Sequence, residues 1–222
     1  MIDYFKRQIE LWGEEKQNLL SSKSIAIIGS GGLGSSLSLA LGSVGIGKIH
    51  LIDFDEVAIH NIHRQIAFKL DDVNRNKADV VADVVKSRSE FTDVQTYIES
   101  FEEWRERKIE VDLIIDATDN LRTRTKIDSF SKDMGIPWIY GSVEAFYGQV
   151  CLFKRSSFTT FQTDDIKPKG VSTPIVMNIA SFQANLAIKY LIGEEVESDL
   201  LYYISFDNDG IFRVKSFKMP KS

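Results

Sequence analysis

Gly29-Ser30-Gly31-Gly32-Leu33-Gly34 follows the apolar run Ile25–Ile28, and Asp53 closes a second run that begins at Lys48. Asp55, Asn61, Arg64 and Gln65 come soon after, Lys77 opens a later segment, and Asp119-Asn120 stands just past the run Val111–Ile115. These residue types suit one kind of chemistry. Gly29 lets the chain turn off the strand, Gly31 and Gly32 let the backbone approach a phosphate, and Gly34 allows close helix–sheet packing. A helix starting there turns unpaired N–H groups and the positive end of its dipole toward an anion. Asp53 is placed to bond a ribose hydroxyl. Arg64 and Lys77 add positive charge, and Asp119 adds a carboxylate able to hold magnesium, so the set fits a magnesium-bound nucleoside triphosphate. The glycine turn and Asp53 alone also satisfy a nicotinamide dinucleotide pattern. Hydride transfer would leave Arg64, Lys77 and Asp119 without a role, and it stays a distant alternative.

The elements that must position these groups alternate in the manner of a doubly wound α/β sheet, where ligands sit at the carboxyl ends of the strands. The pattern predicts strands at Ile25–Ile28, Ile49–Ile52, Val94–Ile98, Val111–Ile115 and Trp138–Tyr140, and helices at Gly32–Val44, Lys77–Arg88 and Asn120–Met134. An amphipathic helix is expected over Ile2–Leu20, carrying Ile9, Leu11 and Trp12. After Gly148 the texture changes. Gln149–Phe153 reads as a strand, the polar stretch Lys154–Thr173 as a mobile loop, and Pro174–Leu191 as a helix stopped by Gly193. Leu201–Phe206 and Ile211–Phe217 flank Asp207-Asn208-Asp209-Gly210 as a hairpin. The expected organisation is one α/β domain over 1–222: an N-terminal helix (1–20), a nucleotide-binding, mostly parallel Rossmann-like core (21–142), and a crossover loop, helix and antiparallel hairpin (143–222).

In this order and spacing the residues resemble the ubiquitin-activating-enzyme-like adenylating proteins, and within them the ThiF/MoeB/HesA group, with a short ThiF-type member the nearest likeness. The resemblance runs from Tyr4-Phe5-Lys6-Arg7-Gln8-Ile9 through Gly29–Gly34, Asp53-Phe54-Asp55, Asn61-Ile62-His63-Arg64-Gln65, Lys77 and Asp116-Ala117-Thr118-Asp119-Asn120 to Gly148-Gln149-Val150. It implies ATP- and Mg²⁺-dependent adenylation of the C-terminal glycine of a ubiquitin-like sulfur carrier ending in Gly-Gly. The carrier would be ThiS-like, serving thiamine synthesis, or MoaD-like, serving molybdopterin synthesis. The resemblance places Gly32 on the phosphates, Asp53 on the ribose, Asn61, Arg64 and Lys77 on the triphosphate, Asp119 on magnesium and Asn120 beside the adenine or ribose. Asp55 and Gln65 join the ATP site on the same grounds. Arg7 resembles a residue that reaches into a partner subunit's site, which implies a homodimer.

Two departures narrow these expectations. Many relatives hold structural zinc with two Cys-x-x-Cys pairs; this chain has one cysteine, Cys151, and no zinc is expected. The region of Gly170-Val171-Ser172-Thr173, where some members carry a reactive cysteine, has none, so release of the acyl-adenylate to an outside sulfur donor is the simpler expectation. The single cysteine also excludes an internal disulfide framework and suits a reducing compartment. The net charge of −5, without a long basic cluster, weighs against nucleic acid as a partner. Met1–Gln8 is interrupted by Asp3, Lys6 and Arg7 and lacks a signal-peptide apolar region, and no apolar run approaches a membrane span, so a cytoplasmic protein is expected.

Plainer readings stand beside these. Cys151, inside an apolar strand, reads as an inert small hydrophobe. His60 and His63 lack a third ligand partner and read as surface or packing residues. Asp55 and Asp116 could serve the site or cap turns at strand ends. Trp104 reads as a packing anchor, and Lys126 and Lys132 as part of a solvated helix face. Other functions open to the family are an ATP-dependent tRNA-modifying dehydratase and a noncatalytic binding module.

Overall fold

The computed structural model describes residues 3–160 and 170–220. Its centre is one eight-stranded sheet in the order β3-β2-β1-β4-β5-β6-β7-β8. The parallel half comprises β1 (Ser24–Ile28), β2 (Lys48–Ile52), β3 (Asp93–Tyr97), β4 (Leu113–Asp116) and β5 (Trp138–Glu144). β6 (Tyr147–Phe153), β7 (Leu200–Phe206) and β8 (Phe212–Lys218) extend it antiparallel. The fold is therefore a doubly wound α/β sheet with an antiparallel C-terminal extension.

The central strands are apolar without alternation because both faces are covered. On β1, Ile25 and Ile27 join a cluster with Leu33, Leu37 and Leu41 of α2 (Gly32–Leu41), Val81 and Val85 of α3 (Lys77–Arg88) and Ile179 of α6 (Thr173–Leu191). Ala26 and Ile28 face the other way, into a cluster with Phe101 and Trp104 of α4 (Phe101–Arg105) and Ile127 of α5 (Leu121–Met134). Trp104 is fully buried, as expected of an anchor.

The chain leaves β1 toward β2 and β3, then returns to β4 on β1's other side. This reversal opens a crevice beyond the carboxyl ends of β1 and β4, the place where such sheets hold ligands. The helix α1 (Lys6–Ser21) forms at the N-terminus with a break at Gly13, whose φ of +84° lies in the left-handed region. Among the described residues, no helix is long and apolar enough to cross a membrane.

Several boundaries differ from expectation for local reasons. α2 stops at Leu41 and not Val44, with Gly42 as its C-cap. α5 begins at Leu121, because Asn120 serves as its cap. β5 runs on to Glu144, since antiparallel pairing with β6 carries the ladder through Glu144↔Tyr147. The unforeseen α4 is started by a reciprocal pair of bonds between Ser100 and Glu103, a Ser-x-x-Glu capping box. Of the polar stretch expected as a mobile loop, residues 161–169 lie outside the described residues; Phe158–Thr160 form a single 3-10 turn and α6 starts at Thr173.

Candidate functional site

At the end of β1, Gly29 takes a φ of +97°, and a Cβ there would lie 2.8 Å from the Ala117 carbonyl oxygen. Five residues on, a Cβ at Gly34 would overlap the Gly29 carbonyl, so α2 packs against its own loop only because both positions are glycine. The N-terminus of α2 thereby opens into a cleft of about 690 Å³, within the range of small-molecule sites.

The structure brings most of the candidate residues to this cleft. Gly29, Gly31, Gly32, Asp53, Asp55, Arg64, Gln65, Lys77, Asp119 and Asn120 line it, from five separate stretches of sequence. Gly34 lies behind the loop. Asn61 is buried outside the lining, and its Oδ1 accepts the Ala58 N–H at 2.9 Å, closing the short turn that precedes Arg64. Arg7 lies on the first turn of α1, outside the lining of its own chain's cleft, with its side chain 90 % exposed and, among the described residues, paired with Glu10.

Asp53 accepts the Ser30 N–H at 2.6 Å and the Asp55 N–H at 2.8 Å, which ties the end of β2 to the glycine loop. Burial pushes its carboxyl above the ordinary range, against the pull of these two backbone donors. The Lys77 ammonium sits 2.7 Å from Asp55 Oδ2, and the Lys77 N–H donates to the Asp55 carbonyl. Arg64 donates to the His60 carbonyl at 2.9 Å and lies 3.1 Å from His63 Nε2, with no carboxylate partner among the described residues. The His63 carbonyl accepts the Thr173 hydroxyl, fastening the start of α6 to the Arg64 turn. Gln65 is buried, and its Oε1 has no hydrogen-bond partner among the described residues. Two cations therefore line the cleft, and Arg64 has no carboxylate counter-charge among the described residues.

Asn120 caps α5, accepting the Arg122 and Thr123 N–H groups at 2.9 and 3.2 Å. Asp119 is exposed in the cleft and makes no hydrogen bond or ion pair among the described residues. No cluster of three or more His, Cys, Asp or Glu side chains able to hold a metal occurs among them. One free carboxylate beside a phosphate cradle still fits magnesium, which is held by one or two carboxylates, water and substrate phosphates.

Behind Asp119 lies a group that sequence reasoning missed. Arg124 reaches the cleft wall from α5, donates Nε to Asp116 Oδ2 at 2.9 Å, and donates Nη2 to the carbonyls of Thr118 and Gly141. Asp116 is fully buried and also accepts the Thr118 N–H and hydroxyl. Burial pushes the Asp116 carboxyl up, opposed first by the Arg124 guanidinium. The available signal was spacing, since Arg124, Ile127, Asp128 and Ser131 form the inward face of a helix capped at Asn120. Glu99, Ser100, Phe101 and Glu102, also unforeseen, close the cleft beyond β3. Cys151 is fully buried in β6, with its thiol driven far above the ordinary range by burial. Lys126 pairs with Glu102 and Lys132 with Asp128.

Residues 5–222 match the ThiF family. The chain belongs to that family. Among its ThiF-family relatives is the adenylyltransferase and sulfurtransferase MOCS3 of Caenorhabditis briggsae, 30 % identical over 193 residues, covering 79 % of this chain and 47 % of that protein. The sulfur carrier protein adenylyltransferase of Thermus thermophilus is 30 % identical over 158 residues, 68 % of this chain and 58 % of its own length. The chain thus spans about half the length of these curated relatives. The crystal structure of PaaA superposes with a TM-score of 0.84 at 25 % identity, over 98 % of this chain and 73 % of that one.

Proposed function

We propose that this ThiF-family chain is an adenylyltransferase that uses ATP and Mg²⁺ to activate the C-terminal glycine carboxylate of a ubiquitin-like sulfur carrier. The observation that carries the reading is the convergence of Arg64, Lys77 and the unpaired Asp119 on the cleft beside the α2 N-terminus. The adenylyltransferase names of its relatives support the reaction class. The carrier is read as ThiS-like and ending in Gly-Gly, with a MoaD-like carrier as the alternative.

A glycine carboxylate is ionised at neutral pH, so its oxygen attacks the α-phosphorus without a general base. The new bond joins that oxygen to phosphorus, the bond to the bridging β-phosphate oxygen breaks, and pyrophosphate leaves. The barrier is the approach of two anions, which positioned cations lower. In this reading Arg64 and Lys77 hold the β- and γ-phosphates against the α2 N-terminus. Asp53 holds the ribose, with Gln65 and Asn120 against the nucleotide. Asp119 would hold magnesium, which when bound would supply positive charge against the phosphates. Arg7 completes the site of a second copy in a homodimer, in keeping with its exposure away from its own cleft. Asn61 acts through the turn that presents Arg64, and Asp55 through its hold on Lys77. The carrier and the nucleotide are the partners expected in a cytoplasmic setting.

The test is carrier-dependent exchange of pyrophosphate into ATP. Wild-type protein supports exchange, and Arg64→Ala or Asp119→Ala abolishes it; near-normal exchange in either variant refutes that residue's role. Mass spectrometry of candidate Gly-Gly carriers after incubation with ATP and magnesium then identifies the substrate by its adenylyl adduct.

A further inference from the structure

The turn that carries Asp119 is fixed on both sides, while the Asp119 side chain makes no hydrogen bond or ion pair among the described residues and meets the Arg124 charge only through space. On one side, Thr118 gives its N–H (2.9 Å) and hydroxyl (2.7 Å) to Asp116 Oδ1, and its carbonyl accepts from Arg124 Nη2. On the other, Asn120 is committed to the first turn of α5. Arg124 spans the gap, because the same guanidinium bonds Asp116 at the end of β4 and Gly141 in β5. Its ring neighbour is Tyr140, with the guanidinium carbon 5.1 Å from the ring centre. From the opposite layer, Gln183 of α6 is fully buried and donates Nε2 to the Asp116 carbonyl at 2.8 Å. Its amide also packs on Gly141, where a Cβ would clash with it. A buried charge pair of this kind is not a strong stabiliser by itself, since desolvation offsets much of the attraction. What it does supply is direction: three strand or loop ends are locked to one planar fork.

We propose that Arg124 and Gln183 are positioning residues for magnesium, holding the Thr118–Asn120 turn so that Asp119 meets the nucleotide-bound ion without reorganising. The inference rests on the proposed role of Asp119. Neither residue ligates the metal: Arg124 acts through Asp116, Thr118 and Gly141, and Gln183 through Asp116 and Gly141. Outer residues that orient a metal ligand typically change metal affinity by about 10–100-fold when altered. Lysine at position 124 keeps the charge but cannot serve Asp116, Thr118 and Gly141 with one rigid group.

The experiment is calorimetric titration of ATP into the full chain across a series of magnesium concentrations, with thermal unfolding measured in parallel. In wild type, ATP affinity rises with magnesium. For Arg124→Lys and Gln183→Met the magnesium concentration giving half of that rise is expected to increase by about tenfold or more, with magnesium-free ATP affinity nearly unchanged. In an Asp119→Asn background the Arg124→Lys change is expected to add no further effect, because the ligand it positions is gone. Folded Arg124→Lys with wild-type magnesium dependence, even at a lower unfolding temperature, overturns the proposal and leaves the residue a packing element. Should Arg124→Lys fail to fold, Gln183→Met decides by the same criterion. Absence of any magnesium effect in wild type removes the Asp119 assignment together with this inference, whereas an effect present in wild type and untouched in both variants removes the inference alone.

Discussion

Replacing Lys77 by Met removes the ammonium and keeps an unbranched apolar stem of similar length. The side chain is 9 % exposed, and its partner Asp55 is 54 % exposed. When the ammonium is lost, the Asp55 carboxylate is therefore left mostly in water and not stranded in the core. A pair with one solvated member contributes roughly 0–1 kcal/mol, so folding stability should change by no more than about 1 kcal/mol. Catalysis is affected on a different scale. A fixed charge aimed at a reacting group in a water-poor site is worth roughly 2.7–4 kcal/mol, a factor of about 10²–10³. Urea unfolding should thus give near-wild-type stability while carrier-dependent pyrophosphate exchange falls by two to three orders of magnitude on the same scale. Exchange within threefold of wild type, or an activity loss matched by a stability loss above about 3 kcal/mol, would refute the separation drawn between the ammonium's folding and binding roles.

Gly34→Ala forces a methyl group onto the Gly29 carbonyl, and because that obstacle is backbone, a destabilisation of about 1–3 kcal/mol or more and loss of ATP binding are expected in unfolding and titration experiments. Cys151→Ser places an unpaired hydroxyl in a fully buried strand position, which should cost about 1–3 kcal/mol in urea unfolding while leaving exchange activity intact. Asp199 accepts N–H groups from Lys154, Arg155 and Ser156 at 3.0–3.1 Å; burial works against its charge, but these donors prevail and hold the carboxyl below the ordinary aspartate value of 3.8. Because the folded pKa is the depressed one, that stabilisation is complete above 3.8 and fades as pH falls through the folded value. Asp199→Asn, which tolerates the positive φ at this position, should lower the unfolding temperature by a few degrees at pH 7, and the gap from wild type should close in acid.

The parallel core was legible because its strands are continuous apolar runs and two candidate carboxylates follow such runs: Asp53 after Ile49–Ile52, and Asp119 after Val111–Ile115. Glycines at 29 and 34 marked the turn because no side chain could occupy either place. Features formed by distant segments were not legible. Arg124 and Gln183 are ordinary helix residues in one dimension and become partners only when β4, β5, α5 and α6 converge on Asp116. The Lys77–Asp55 pair likewise needed the turn after β2 to fold back on the start of α3, where the Lys77 N–H bonds the Asp55 carbonyl. Asn61 illustrates the opposite case, since a residue picked out by its place in a motif closes a turn through the Ala58 N–H and lies outside the cleft lining. α4 could have been found from Ser100 and Glu103, whose spacing marks a helix start even in a five-residue helix.

The proposed reaction depends on ATP occupying the cleft of Arg64, Lys77 and Asp119, and calorimetric titration of the full chain with ATP in excess Mg²⁺ tests this most directly. Saturable uptake of one nucleotide per chain, weakened by Arg64→Ala and not reproduced by NAD, is the predicted result. Well-folded protein that takes up no ATP under those conditions, or that takes up NAD in its place, would contradict it.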